Sequence, residues 1–210
     1  MINSAHTKDM TNLFQLPTGL STGLSVLDNF FPWRGIPKGE ISLFSGAPGT
    51  GATSLWLKAA GLINSQAKMA GWICSDLKLN SAPTPNDNTQ RIVVLNKTAR
   101  TRCIFDVLQT MLKSDLFALI GCQLRKLNFK SSQLQELKNL AQKHQVALVF
   151  ITESKEPLAS SLFSLIVDCH HDFFTVQRAV QRPTPFTISA SMIFSELMPQ
   201  LTQTLGAVPC

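Results

Sequence analysis

The chain has 210 residues, which is enough for one domain with a full hydrophobic core. A 44% hydrophobic and 15% charged composition excludes an intrinsically disordered chain, and no apolar run reaches the roughly 18 residues of a membrane-spanning helix. The net charge of +6 is uneven: residues 91–210 carry thirteen Lys and Arg against eight Asp and Glu, residues 1–90 six against five. This balance fits either an acidic partner, such as nucleic acid or an acidic protein face, or simple solubility charge.

Residues 1–15 are polar and predict a flexible N-terminus, with no charged start followed by an apolar block as in a secretory signal. Ser25 to Phe31 reads as a short helix with Val26, Leu27, Phe30 and Phe31 on its apolar side. Pro32, Gly35, Pro37 and Gly39 then force a turn. "EISLFSG" is a strand running into a glycine-rich loop, and a helix follows from Thr53, with Leu55, Leu62 and Ile63 at helical spacing. "MAGWICSD" is a strand and "KLNSAPTPNDNTQ" a loop. "RIVVLN" is a strand, and "TRCIFDVLQTMLKS" a helix turning Ile104, Val107, Leu108, Met111 and Leu112 inward. "LFALIGC" is a strand, "SSQLQELKNLAQKHQ" a helix capped by Ser131 or Ser132, and "VALVFIT" a strand. This alternation predicts an α/β fold with a mainly parallel central sheet flanked by helices. After Leu158, "LFSLIVDCHHDFFTVQRAVQ" and "PFTISAS" read as antiparallel strands turning near His170 to Asp172, and "SMIFSELMPQLTQTL" as an amphipathic tail helix. The expected organisation is a core domain over 16–192 and a C-terminal helix and tail over 193–210.

The five cysteines (Cys74, Cys103, Cys122, Cys169 and Cys210) are scattered without a CxxC pair, so they read as reduced thiols, mostly core filling, in a cytoplasmic protein. A zinc site is not expected. His170 and His171 beside Cys169 and Asp172 have a tempting spacing, but adjacent strand residues point to opposite faces, so the stretch reads as a hairpin turn.

The chemistry concentrates in "GAPGTGATS", residues 46–54. A strand, a glycine-rich loop and a helix N-terminus together bind phosphate, because backbone N–H groups converge on the anion and the helix dipole assists. Gly46, Gly49, Gly51 and Thr53 keep that frame, but Ala52 stands where a working loop carries the Lys that reaches the terminal phosphates. Lys58 is no obvious substitute. Three readings stay open: a working ATPase, weak ATP and magnesium binding without turnover, or a turn kept for packing. A Ser/His/Asp catalytic set has no nucleophile elbow to support it.

With its flanks included, "LPTGLSTGLSVLDNFFPWRGIPKGEISLFSGAPGTG" resembles the lead-in of the RecA superfamily: a Thr-Gly (present twice, at Thr18-Gly19 and Thr22-Gly23), a Leu-Asp, an apolar stretch and a Gly-Ile-Pro-Lys-Gly turn into the phosphate-loop strand. The resemblance continues over roughly residues 16–190 and implies a RecA-like fold. It also implies that the catalytic parts are largely gone. Asp76 falls where a water-activating Glu is expected, Gly121 and Cys122 where a magnesium-associated Asp is expected, and Thr152 and Glu153 where a nucleotide-sensing amide is expected. No catalytic residue is therefore assigned.

Within the superfamily the chain is similar to ImuA-type proteins, accessory factors of the bacterial translesion mutasome, through "VLQTMLKSDLFALIGC", "LQELKNLAQKHQVALVFIT" and "ASSLFSLIVDCHHDFFTVQRAVQRPTPFTISA". SulA cell-division inhibitors share the middle and later pieces but lack the lead-in and the glycine loop. The resemblance implies an accessory protein of the SOS response. Its partners would be RecA and/or an ImuB-like Y-family polymerase homologue, with single-stranded DNA as a further candidate. A DNA-dependent ATPase of RecA type and a SulA-like division inhibitor are the alternatives. "QLRKLNFK" places Arg125, Lys126 and Lys130 at the carboxyl end of a strand, where ligands of open α/β sheets gather, with Phe129 available to stack on a base. Arg178 and Arg182 on the late hairpin are the other candidate contacts.

Overall fold

The computed structural model describes residues 18–63, 68–74, 92–96, 101–153, 160–179, 185–189 and 191, with backbone alone at 92–96, 101–103 and 160. The tail helix, the loop after residue 74, Asp76 and Arg182 lie outside the described residues.

In chain order the elements are β1 (Gly19–Leu20), α1 (Ser25–Phe30), β2 (Ile36–Pro37), β3 (Ile41–Ser45), α2 (Ala52–Gly61), β4 (Met69–Cys74) and β5 (Ile92–Asn96). There follow α3 (Thr101–Lys113), β6 (Phe117–Leu124), α4 (Ser131–His144), β7 (Ala147–Thr152), β8 (Leu165–Cys169), β9 (Phe173–Ala179) and β10 (Phe186–Ser189). One eight-stranded sheet runs in the order β10-β9-β8-β3-β7-β6-β4-β5. Its pairs from β5 to β8 are parallel, whereas β8–β9 and β9–β10 are antiparallel. The α/β reading holds, with one correction. "SLIVDC" belongs to the parallel part, because β8 pairs with β3; antiparallel pairing starts only at β9, after the tight turn closed by His170 N–H donating to the Phe173 carbonyl at 2.9 Å.

Helices on both faces explain the near-continuous apolar strands: every residue of β3 and β7 is buried. One core layer joins α1, α2 and the lead-in to Phe44, Trp72, Val149 and Val167. The other packs α3 and α4 on Ile41, Ile73, Ile120, Leu148 and Phe150. In α3 the buried residues include Ile104, Leu108, Met111 and Leu112, as its periodicity predicts. In α2 they are Ala52, Leu55, Trp56, Ala59 and Ala60, whereas Leu62 caps the helix and is exposed. The helix stops at Gly61, two residues before Ile63, to which the apolar spacing carries it. For α4 the cap is Lys130, not Ser131 or Ser132, and its backbone N–H donates to Gln133 Oε1 at 2.9 Å.

The lead-in motif has a physical cause. Asp28 accepts hydrogen bonds from Thr22 N–H (2.9 Å), the Thr22 hydroxyl (2.7 Å) and the Ser21 hydroxyl (2.6 Å). One carboxylate therefore satisfies a fully buried threonine and ties the turn to α1. At the amino edge of the sheet, Glu40 accepts from the Ser164 hydroxyl at 2.6 Å and pairs with Lys138 at 3.1 Å, pinning α4 to β3. No helix among the described residues is long and apolar enough to cross a membrane.

Candidate functional site

The glycine loop leaves β3 at the carboxyl edge, between β7 and β8. Gly46 N–H donates to the Thr152 carbonyl at 2.9 Å, and Thr50 turns back on the loop, its hydroxyl donating to the Ala47 carbonyl at 2.8 Å. Gly46 has no room for a side chain, because a Cβ there would lie 2.4 Å from Thr50 Oγ1 and 2.5 Å from the Cys169 carbonyl oxygen. Gly51 sits at φ 96°, a left-handed value that favours glycine, and from it α2 departs as the N-cap. The N-terminal end of a ten-residue helix thus borders the loop, with Thr53 half-buried and Ser54 exposed.

The cleft above this loop is about 100 Å³. Gly46, Gly49, Gly51, Ala52 and Thr53 line one side, and Gln123, Leu124, Ile151, Thr152 and Glu153 the other. All four phosphate-loop positions predicted from the sequence therefore meet at one cleft. Ala52 is 6% exposed and part of the core, so the wall that would carry the lysine is apolar. Lys58 is directed elsewhere, with its stem against Gly23 of the lead-in.

The residue facing the loop from β6 is Gln123. The strand extends to Leu124, two residues past the apolar run that marks it in the sequence. Gly121 and Cys122, the positions expected to replace the magnesium-associated acid, lie deeper. Gly121 lets Trp56 and Trp72 pack against the strand, and a Cβ there would come within 2.6 Å of both indoles. Cys122 is wholly buried on the opposite face among α3 and α4. The cleft thus offers an amide at Gln123 and a hydroxyl at Thr152, and among the described residues Glu153 is its one charged lining residue.

The basic turn follows at once. Arg125, Lys126 and Lys130 are exposed. Leu124 aligns with Thr152, and Thr152 with Ser45, so Arg125 begins two strand spacings, about 10 Å, from the base of the loop. Phe129 is not available to stack on a base. It is 5% exposed, with ring centroids 6.4 Å from Phe105 and 5.6 Å from Phe150. Arg178 is half-buried on β9, away from the cleft lining.

His170 stacks on Phe173 at 4.3 Å within the hairpin turn, and among the described residues no three His, Cys, Asp or Glu side chains converge as metal ligands. Asp168 accepts from the Ser45 hydroxyl and from the Gln177 amide (3.0 Å), which ties the late hairpin to the loop strand. Cys74, Cys122 and Cys169 are buried free thiols. Burial, with the Asp168 carboxylate adding to it, pushes the Cys169 thiol up to about 12, and burial also raises Cys122. Cys122 and Cys169 therefore stay protonated, and all three cysteines act as core filling.

No protein-family model matches the chain, and no curated protein matches it.

Proposed function

We propose that the chain is a catalytically degenerate RecA-like accessory protein of the bacterial DNA-damage response. It supports error-prone translesion synthesis through contacts with RecA and/or a Y-family polymerase homologue. A mainly parallel sheet with a glycine loop at its carboxyl edge and antiparallel strands toward the C-terminal end is the architecture this reading needs. The observation that carries it is the cleft itself: the loop keeps its form, but among the described residues Ala52 stands at the lysine position and Gln123 faces the loop from β6, so neither supplies the cation or the β6 carboxylate that phosphoryl transfer uses, and the acid in the lining is Glu153. On this reading the body acts by docking. The exposed Arg125, Lys126 and Lys130 at the same edge supply a basic docking surface.

The test is a pull-down of RecA and of the polymerase homologue with Arg125, Lys126 and Lys130 all replaced by Ala. Exposed charges of this kind contribute at most about 1 kcal/mol to folding, so the variant keeps its melting temperature and loses capture of its partner. If single-stranded DNA is the partner, the salt slope of binding shrinks by roughly 0.7 per lost phosphate contact. A folded variant that binds RecA, the polymerase homologue and DNA like the wild type refutes this docking surface.

A further inference from the structure

The two walls of the glycine-loop cleft differ in charge. On one side stand Gly46, Gly49, Gly51 and Ala52, with the N-terminal end of α2 behind them. A helix end is equivalent to about half a positive charge, and Ala52 adds nothing to it. On the other side Thr152 and Gln123 are neutral, and the charge is that of Glu153. Glu153 follows Thr152, the last residue of β7, and is exposed. The Gly46 N–H donates to the Thr152 carbonyl at 2.9 Å, so Glu153 stands beside Gly46 at one strand spacing, about 5 Å. Its carboxylate makes no hydrogen bond or ion pair with another described residue.

We propose that Glu153 closes this cleft to polyphosphate. A working phosphate loop adds the full positive charge of its lysine to the helix end. Here a full negative charge is added instead, and the described lining carries a net charge of about minus one half. In a cleft of about 100 Å³, an anion seated on the loop lies within a Debye length of that carboxylate, about 10 Å at 0.1 M salt, and like charges at that range repel. Nucleotides are therefore rejected by a charge that is present as well as by a lysine that is missing. The loop keeps its folded form while the cleft stays clear of polyphosphate, so docking does not follow the nucleotide level. This inference rests on the proposed function, in which the cleft turns over no nucleotide.

A carboxylate beside a phosphate loop has one competing role, which is to hold magnesium. The two roles have opposite signs. If Glu153 repels, removing its charge tightens the binding of metal-free polyphosphate. If Glu153 holds the metal, the same change loosens the binding of the magnesium complex. The lining favours repulsion, because Glu153 stands next to the first glycine of the loop and the other polar groups on its wall are the neutral Gln123 and Thr152.

The experiment is calorimetric titration of the full chain with tripolyphosphate at low ionic strength, with a chelator present and then with magnesium. The proteins are the wild type and Glu153→Gln, each also in the Ala52→Lys background, where affinity is higher. Glu153→Gln is expected to bind metal-free tripolyphosphate at least roughly threefold tighter than its parent, and the ratio is expected to close toward one near about 1 M salt, where the Debye length is about 3 Å. Thermal melts check that the fold is kept. The inference is overturned if Glu153→Gln binds like its parent in both backgrounds, if its gain persists undiminished at high salt, or if none of the four proteins binds. It is also overturned if Glu153→Gln weakens binding of the magnesium complex, because Glu153 is then a metal-holding acid. Phosphate release from magnesium-ATP keeps the two readings apart: turnover by the wild type defeats the accessory-protein reading, whereas unchanged tripolyphosphate affinities with no turnover defeat this inference alone.

Discussion

Ala52→Lys asks whether the glycine loop has kept its phosphate-binding shape. Ala52 is the first helical residue of α2, borders the cleft and is 6% exposed. A lysine stem can follow the apolar wall, with its ammonium in the cleft above. Without an anion that charge opposes the helix dipole at about 0.3–1 kcal/mol, and the melting temperature falls by about 1–4 °C for a chain of this size. Beside polyphosphate the same charge gains its partner, an interaction worth about 2–5 kcal/mol, so ATP and tripolyphosphate bind roughly 30- to 4,000-fold tighter than to the wild type. Turnover remains absent, because Gln123 still offers magnesium an amide in place of a carboxylate. Calorimetric titration of both proteins with both anions reads the affinity, and a melt reads the cost. A folded variant that binds neither anion more tightly refutes the reasoning, because the loop then lacks converging N–H donors.

Three further predictions concern the frame around the site. Gly121→Ala places a methyl within 2.6 Å of Trp56 and Trp72 and destabilises the fold by about 1–3 kcal/mol, read by tryptophan fluorescence during thermal unfolding; an unchanged melt refutes the tight packing. Asp28→Ala strands the buried Thr22 N–H and hydroxyl and costs about 1–3 kcal/mol. Asp28→Asn, which keeps an acceptor oxygen, costs less, and equal losses for the two variants would contradict the hydrogen-bond account. The His144 hydrogen bond, helped by its charge and those of Lys68 and Lys143, holds the Asp115 carboxyl below its ordinary value of 3.8. Its contribution is therefore complete above that pH and disappears as pH falls through the lowered folded value. The melting difference between wild type and Asp115→Asn is expected to close below that value, and a difference that widens in acid would reverse the sign.

The strand, loop and helix of the site were legible because glycines punctuate the sequence between apolar runs. Gly46 is fixed by backbone crowding and Gly51 by its positive φ, both of which a sequence displays as glycine. Gln123 was missed for a definite reason. An apolar run marks the buried part of a strand, and β6 continues two residues beyond it into the polar cleft. Phe129 misled in the opposite sense: it stands between polar neighbours in "LNFK", yet the turn folds it under α4 into the core. The direction of β8 was not readable, because its alternating burial resembles that of β9. What makes it parallel is the connection before it, which returns the chain to the amino edge, where Ser164 N–H donates to the Ile41 carbonyl at 3.0 Å. The exposure of Leu62 followed from where α2 stops, which its apolar spacing did not reveal.

Phosphate release from magnesium-ATP, with and without single-stranded DNA, tests the central claim most directly. A cleft walled by Ala52 and Gln123 predicts a signal at the buffer baseline in both conditions. A DNA-stimulated rate near about one per second, within the ordinary range of enzyme turnover, would contradict the account and return the chain to the working ATPases.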